Sequence, residues 1–183
     1  NERNKPEIYW ATGFGLGLTA LLLLSSLGDK PVQIFSNAVT IDSFSTLIKL
    51  LLVVATGAVI KLSHSSKDIY GGLKSEFVIM VLGVLVGGML LASANNFLTL
   101  YLGIETLSIL SYVLASFKRL DSRSSEAGLK YVLYGGVTSG IMLFGISHIF
   151  GVLGTIQFTE AIPLIQALST EKMIVLMPSF LLF

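Results

Sequence analysis

The chain has 183 residues, 53% of them hydrophobic and 13% charged, with a mean hydropathy of +0.81 and a formal net charge of +1. Soluble domains carry about 25% charged residues, so this composition excludes a soluble enzyme, and the absence of any basic block argues against nucleic-acid binding. Zero cysteines exclude disulfides, thiolate-held iron–sulfur clusters and cysteine-ligated zinc.

A helix crossing a ~30 Å hydrocarbon core needs about 20 mostly apolar residues. In chain order, such runs cover residues 7–27, 42–62, 77–94, 97–117 and 127–153, and a shorter one covers 171–183. The expected fold is an all-α polytopic membrane protein: one transmembrane domain over 1–183, with five full spans and part of a sixth. A chain that starts with Asn and stops inside "IVLMPSFLLF" reads as a piece of a longer polytopic protein, and "NERNKPEIYW" has no signal-peptide pattern. The third and fourth runs are separated only by "ASANN". Joined, they would make a helix about 60 Å long, twice the membrane. Asn95 and Asn96 favour turns, so a tight helical hairpin is expected there.

Alternating spans put the loops on two sides. Arg3, Lys5, Lys61, Lys67, Lys74, Lys118, Arg119 and Arg123 fall on one side; only Lys30 and Lys172 fall on the other. The positive-inside rule makes the first side cytoplasmic. Tyr9 and Trp10 stand there as an aromatic belt would. The pairs Gly13/Gly17, Gly83/Gly87 and Gly136/Gly140 have the small-xxx-small spacing that lets membrane helices approach closely.

The polar residues inside the runs carry the functional signal. Between Phe97 and Phe117 only Glu105 is ionisable. It lies ~12 Å from one end and ~18 Å from the other, too deep for its side chain to reach water. An acidic residue at a helix centre costs roughly 2.5–3.5 kcal/mol to insert. That cost falls if the group faces a wet cavity, pairs with a cation or takes up a proton. Tyr101, Ser108 and Tyr112 share its face at helical spacing. They would line a cavity or hydrogen-bond the carboxyl group; the plainer reading is a polar contact joining two helices.

Lys130 follows a helix start expected near Ser125, with Glu126 in the first turn. It can snorkel to the surface or pair with Glu126 at i, i+4. Tyr134 and Thr138 continue its face, and His148, five turns on, returns to it. Taken alone, His148 reads as an interfacial residue. Lys49 reads as a snorkelling lysine and Asp42 as an N-cap. His64 lies in a charged loop and needs no special role. No His or carboxylate cluster has metal-ligand spacing, and no nucleotide fingerprint or nucleophile triad is present.

Two stretches carry a resemblance. "LLASANNFLTLYLGIETLSILSYVLASF" and "SSEAGLKYVLYGGVTSGIMLFGISHIFGVLGT" resemble the antiporter-like subunits of proton-pumping NADH:quinone oxidoreductase, respiratory complex I, and among them subunit N. "YLGIE" followed about twenty residues later by "EAGLKY" is the specific pattern, strongest over 89–155. The resemblance implies a bundle containing inverted repeats, with mobile charges in a hydrated axis at mid-membrane. It matches Glu105 to the family's glutamate and Lys130 to a lysine of the following helix, as a proton relay. Tyr101, Ser108, Tyr112, Tyr134, Thr138 and His148 would line or extend that path. It implies no cofactor in this chain; NADH, FMN, iron–sulfur clusters and quinone would belong to the complex. The expected partners are other membrane subunits, including other antiporter-like ones, and the expected home is an energy-converting inner membrane, in a bacterium the cell membrane. The alternatives are a subunit of a sodium or potassium/proton antiporter, which shares the motifs, and a structural membrane subunit with no proton path.

Overall fold

The computed structural model describes residues 6–65, 73–118, 120–168 and 170–182. Their elements run α1 (Pro6–Ser25), β1 (Val32–Ile34), β2 (Val39–Ile41), α2 (Ser43–Ser65), α3 (Leu73–Ala92), α4 (Phe97–Ala115), α5 (Ser122–Leu153), α6 (Phe158–Gln166) and α7 (Thr170–Leu182). The first four long helices and α5 are each long and apolar enough to cross a membrane. The five expected spans are therefore present, and the chain is a multi-pass membrane protein.

Successive helices run antiparallel, and contacts at their ends mark two sides. On the side of the lysine-rich loops, Tyr9 at the start of α1 meets His64 at the end of α2, ring centroids 4.5 Å apart. On the same side Phe77 of α3 meets Phe117 just past α4 at 5.7 Å. Two apolar clusters hold the bundle. Ile60, Val78 and Val81 join α2 to α3, with Tyr9 and Leu16 of α1 against them. At the opposite end, Phe97, Ile146, Ile149, Ala161 and Leu176 join α4, α5, α6 and α7.

The α3–α4 turn is as tight as "ASANN" predicts. Asn96 is extended and its Oδ1 accepts the Thr99 amide at 2.7 Å, which caps α4. Glycines let the two helices touch. A Cβ at Gly103 would fall 3.0 Å from the Leu91 backbone, and one at Gly87 3.1 Å from the Leu107 amide nitrogen. The Gly83/Gly87 pair thus packs α3 on α4 as its spacing suggests. The other two pairs do not pack. Gly13, Gly17, Gly136 and Gly140 have nothing within 4 Å of a would-be Cβ. The glycines of α5 that meet α4 are Gly128 and Gly135, one helical face round from the expected pair.

Two elements go beyond the all-helical expectation. The residues between the first two spans form an antiparallel hairpin in which Val32 pairs with Ile41 and Ile34 with Val39. Its tip holds Phe35, Ser36 and Asn37 at φ of 53°, 54° and 65°, a left-handed conformation that costs L-residues about 1–2 kcal/mol each. Neighbouring segments hold that tip in place. Asn95 Nδ2 donates to the Asn37 carbonyl at 2.9 Å, and Gln157 Nε2 donates to the Ser36 carbonyl at 3.2 Å. Thr40 N donates to Ser93 O, Asn95 N to Ala38 O, and Phe97 N to Ile156 O. Hairpin, α3–α4 turn and α5–α6 link therefore form one hydrogen-bonded layer on the side poor in lysine. The second addition is α6, whose nine residues are too short to span a membrane. It follows Gly154, which ends α5 at φ 73°.

Two helix starts test the capping readings. Asp42 caps α2 as expected, its Oδ1 accepting the Ser45 amide at 2.7 Å while Ser45 Oγ accepts the Asp42 amide at 3.1 Å. That amide bond, helped by the Ser45 hydroxyl, holds the Asp42 carboxyl below its usual range. Ser125, in contrast, is not the cap of α5. Asp121 is, accepting the Arg123 amide at 3.0 Å, and the helix starts at Ser122. Ser124 instead donates to the Ala115 carbonyl at 3.0 Å and ties α5 back to the end of α4. The carboxylate accepts more strongly than a hydroxyl, so the earlier residue wins.

Candidate functional site

The site lies where α4 faces α5. Tyr101, Glu105, Ser108 and Tyr112 come from successive turns of α4 and are all half-buried. Their spacing of three and four residues puts them on one face, as the helix period requires. The opposite face carries Gly103, Thr106 and Leu107, which pack on α3. The strip containing Glu105 is thus free to look toward α5.

Glu105 Oε1 is buried and has no hydrogen-bond partner among the described residues. The Tyr101 phenol lies beside the carboxyl group and interacts with it. A buried polar oxygen without a partner costs about 1–3 kcal/mol, more for a charged group. A stable protein keeps such an atom only where a proton, a water or a further group meets it.

Next to it, Ser108 and Tyr112 of α4 and Thr138 of α5 line a cavity of about 240 Å³. Ile104, Ile141 and Met142 form its apolar wall, and Ser139 joins the polar lining. An ordered water needs two to four polar partners, and the hydroxyls of Ser108, Tyr112, Thr138 and Ser139 supply that number at this cavity. Ser139 was not among the sequence candidates. Its signal was present, one residue from Thr138, but a helix alone does not say which neighbour faces α4. Gly135 is the second residue the sequence did not single out. The Tyr112 phenol sits where a side chain at 135 would be, and a Cβ there would fall 1.9 Å from the phenol oxygen. Tyr131 holds the Tyr112 ring edge-on, centroids 4.7 Å apart.

Lys130 is not brought to Glu105. Its Nζ pairs with Glu126 at 2.5 Å, and both side chains are nearly two-thirds exposed on the outer face of α5. The i, i+4 pairing was one of the two structural readings of Lys130. Because α5 begins at Ser122, Lys130 sits ~12 Å along the helix and not in its first turns. Tyr134 is 73% exposed and continues this outward face. Thr138 is shared between the outward face and the cavity, with its hydroxyl bonded back to Gly135 O at 2.8 Å. His148 leaves the line. It is half-buried, its Nδ1 hydrogen-bonded to Ser179 Oγ of α7 and its ring stacked on Phe144. The expected line from Lys130 to His148 is therefore two groups: an outward strip and a fixed contact between α5 and α7. Among the described residues, no three of His, Cys, Asp and Glu gather as metal ligands.

Comparison with known proteins bears on the family and the fold. Residues 94–183 match the family described as NADH:quinone oxidoreductase/Mrp antiporter, transmembrane. NADH-quinone oxidoreductase subunit N of Geobacillus sp. is 31% identical over 173 residues, covering 92% of this chain and 35% of that protein. Subunit N of Granulibacter bethesdensis is 41% identical over 125 residues, covering 68% of this chain and 26% of that protein. Among solved structures, a chain of respiratory complex I from Thermus thermophilus superposes with a TM-score of 0.70 at 27% identity, over 87% of this chain and 36% of that one. A chain of an archaeal membrane-bound sulfane sulfur reductase has the same fold, with a TM-score of 0.77 at 20% identity over 97% of this chain and 37% of that one. The chain spans about a third of the length of these proteins. With five apolar spans and these matches, the chain belongs to the antiporter-like membrane subunits of the NADH:quinone oxidoreductase/Mrp antiporter family.

Proposed function

We propose that this chain forms part of a proton-translocating membrane subunit of NADH:quinone oxidoreductase, with Glu105 as the group that takes up and releases the proton. The observation that carries this reading is the buried Glu105 Oε1, unpartnered among the described residues and one helical turn from Ser108, which lines a cavity between α4 and α5. The names of the relatives favour subunit N over the cation/proton antiporters of the same family.

The chemistry is proton binding controlled by a neighbouring charge. A cation brought close stabilises the carboxylate, and its withdrawal from a low-dielectric site stabilises the neutral acid. Moving a cation toward and away from the site would thus unload and load Glu105. Tyr101 orients the carboxyl group. Ser108, Tyr112, Thr138 and Ser139 would hold the waters that carry the proton between helices. Lys130 is a secondary member, exchanging its ion pair with Glu126 for a partner in the path. Tyr134 extends that strip, and His148 fixes α7 against α5. NADH, FMN, iron–sulfur clusters and quinone would be held by other subunits, and no step here runs through them. A chain without cysteine supplies no thiolate for a cluster. The home would be an energy-converting membrane, in a bacterium the cell membrane.

The test is Glu105→Gln in the complete complex, which keeps the shape and hydrogen-bonding ability but cannot titrate. Proton uptake and NADH:quinone turnover are measured in vesicles with equal amounts of assembled complex. Most pumping should be lost, with turnover slowed alongside it, while Glu105→Asp retains part of both. Normal pumping by the assembled Gln variant would make Glu105 a packing residue.

A further inference from the structure

The cytoplasmic ends of α1 and α2 enclose a groove of about 720 Å³, remote from Glu105 and unused by the proton path. Its floor is apolar: Gly13 and Leu16 from α1, Gly57 and Ile60 from α2. Its mouth is cationic and polar. Lys61, His64 and Ser65 line it and are exposed. Lys74 of α3 joins them from the next helix, its Nζ donating to the His64 carbonyl at 2.9 Å. Trp10, 80% exposed, stands at the same level, where indole rings partition to the headgroup region. No carboxylate is among the lining residues.

We propose that this groove is a binding site for an anionic phospholipid of the cytoplasmic leaflet. Its acyl chain would lie along Gly13, Leu16, Gly57 and Ile60, and its phosphate would be held by Lys61 and His64.

Charge complementarity selects this occupant. The end of a helix is normally unfavourable to an anion, because its last carbonyls carry partial negative charge. Here the Lys74 ammonium occupies one of them, and Lys61 adds a second positive charge one turn back. The Tyr9 ring, edge-on to His64, holds the imidazole in place. Anionic lipids concentrate in the cytoplasmic leaflet and are drawn to such juxtamembrane cations. The trough itself exists because two of its positions have no side chain. A Cβ at Gly13 would meet nothing within 4 Å, and one at Gly57 only Leu16 Cδ1 at 4.0 Å. These positions can accept larger side chains without disturbing the helix contact, so the groove can be filled from within.

The experiment uses the complete complex in phosphatidylcholine vesicles carrying a trace of photoactivatable phosphatidylglycerol or, in parallel, photoactivatable phosphatidylcholine. Labelled peptides are mapped by mass spectrometry. The anionic probe should label residues 9–16 and 57–65 in preference to the zwitterionic one. Lys61→Gln with His64→Gln should reduce that preference about fivefold, the effect of the one lysine charge removed, and Lys61→Arg should keep it. Gly13→Leu with Gly57→Leu should remove labelling by both probes while assembly is unchanged. Equal labelling by the two probes, or a preference unaffected by Lys61→Gln with His64→Gln, would overturn the proposal. So would protein–protein cross-links in place of lipid at these peptides, which would make the groove a subunit contact.

Discussion

The Tyr112 phenol of α4 occupies the space that a side chain at Gly135 of α5 would fill, with the would-be Cβ 1.9 Å from its oxygen. The position of a cavity-lining hydroxyl is therefore set by a glycine on another helix. Gly135→Ala must push the Tyr112 ring away or separate the helices. Overpacking of this kind costs about 1–3 kcal/mol. The variant should unfold at lower detergent-denaturant concentration, and its assembled fraction should pump less than Tyr112→Phe, which loses only the hydroxyl. Stability and pumping equal to wild type would show that the ring has room to move.

Lys130 should respond to charge more than to shape. Lys130→Ala leaves Glu126 unpaired and removes a cation from the α5 strip, whereas Lys130→Arg keeps both. Proton uptake should fall in the first and be largely kept in the second. Glu126→Gln separates the two roles. An exposed i, i+4 pair contributes only about 0.3–0.5 kcal/mol, so its loss should leave stability unchanged within error. If Lys130→Ala pumps normally, Lys130 serves the surface alone.

The Asp42 cap predicts an acid-sensitive helix start. Its carboxyl is held below its usual range by the Ser45 amide, with the Ser45 hydroxyl second. The folded form therefore binds its proton less readily than the unfolded form. The stabilisation is fully present above the unfolded value of about 4 and is lost as pH falls through the lower folded value. Asp42→Asn keeps a capping oxygen and removes the titration. The stability difference between wild type and Asp42→Asn should be constant at neutral pH and shrink below pH ~4. A difference that is constant down to pH ~2 would remove Asp42 from the acid response.

Cysteines at Ser65 and Ser36 should react with an impermeant thiol reagent from opposite faces of sealed vesicles, Ser65 from the cytoplasmic side. The first lies at the end of α2 among the lysines, and the second at the hairpin tip. Reaction from one face only would reverse part of the topology.

Asn96→Ala removes the Oδ1 that accepts the Thr99 amide and should destabilise the protein by about 1 kcal/mol. Asn95→Ala should also loosen the hairpin tip, since Asn95 Nδ2 bonds the Asn37 carbonyl. Faster proteolysis at residues 34–38 in Asn95→Ala, but not in Asn96→Ala, would distinguish the two roles.

What the sequence made legible follows from strong, local physics. Continuous apolar runs of membrane length fixed the five spans, and "ASANN" had no geometry open to it but a turn. Asp42 was readable because it is the one carboxylate before this helix, a stronger acceptor than the Ser43 hydroxyl beside it. Ser125 misled because Asp121, four residues earlier, is the stronger acceptor. Three-residue strands between two spans carry too short a pattern to stand out from a loop. The hairpin is instead specified by its bonds to residues 93–95 and 157, distant in the chain. The same applies to the site. Helical spacing aligned Tyr101, Glu105, Ser108 and Tyr112, but only the packing of α5 showed that Thr138 faces them and that Lys130 and Tyr134 face away. His64 read as a loop residue because the end of α2 lay beyond its last apolar position.

The layer formed by the hairpin, the α3–α4 turn and the α5–α6 link has a mechanical meaning. Main-chain bonds cross between three segments at one end of the bundle, while the described contacts at the opposite ends include rings, Tyr9 on His64 and Phe77 on Phe117, and side-chain bonds from Lys74 to the His64 carbonyl and from Ser124 to the Ala115 carbonyl. Rings slide over one another at little energetic cost, whereas peptide hydrogen bonds break or hold. A layer in which the main chains of three segments are bonded to one another resists separation of α3, α4 and α5 more than side-chain contacts at the other end do. The turn at Asn95 and Asn96 is thereby fixed on two sides, by the hairpin through Ala38 and Asn37 and by the α5–α6 link through Ile156.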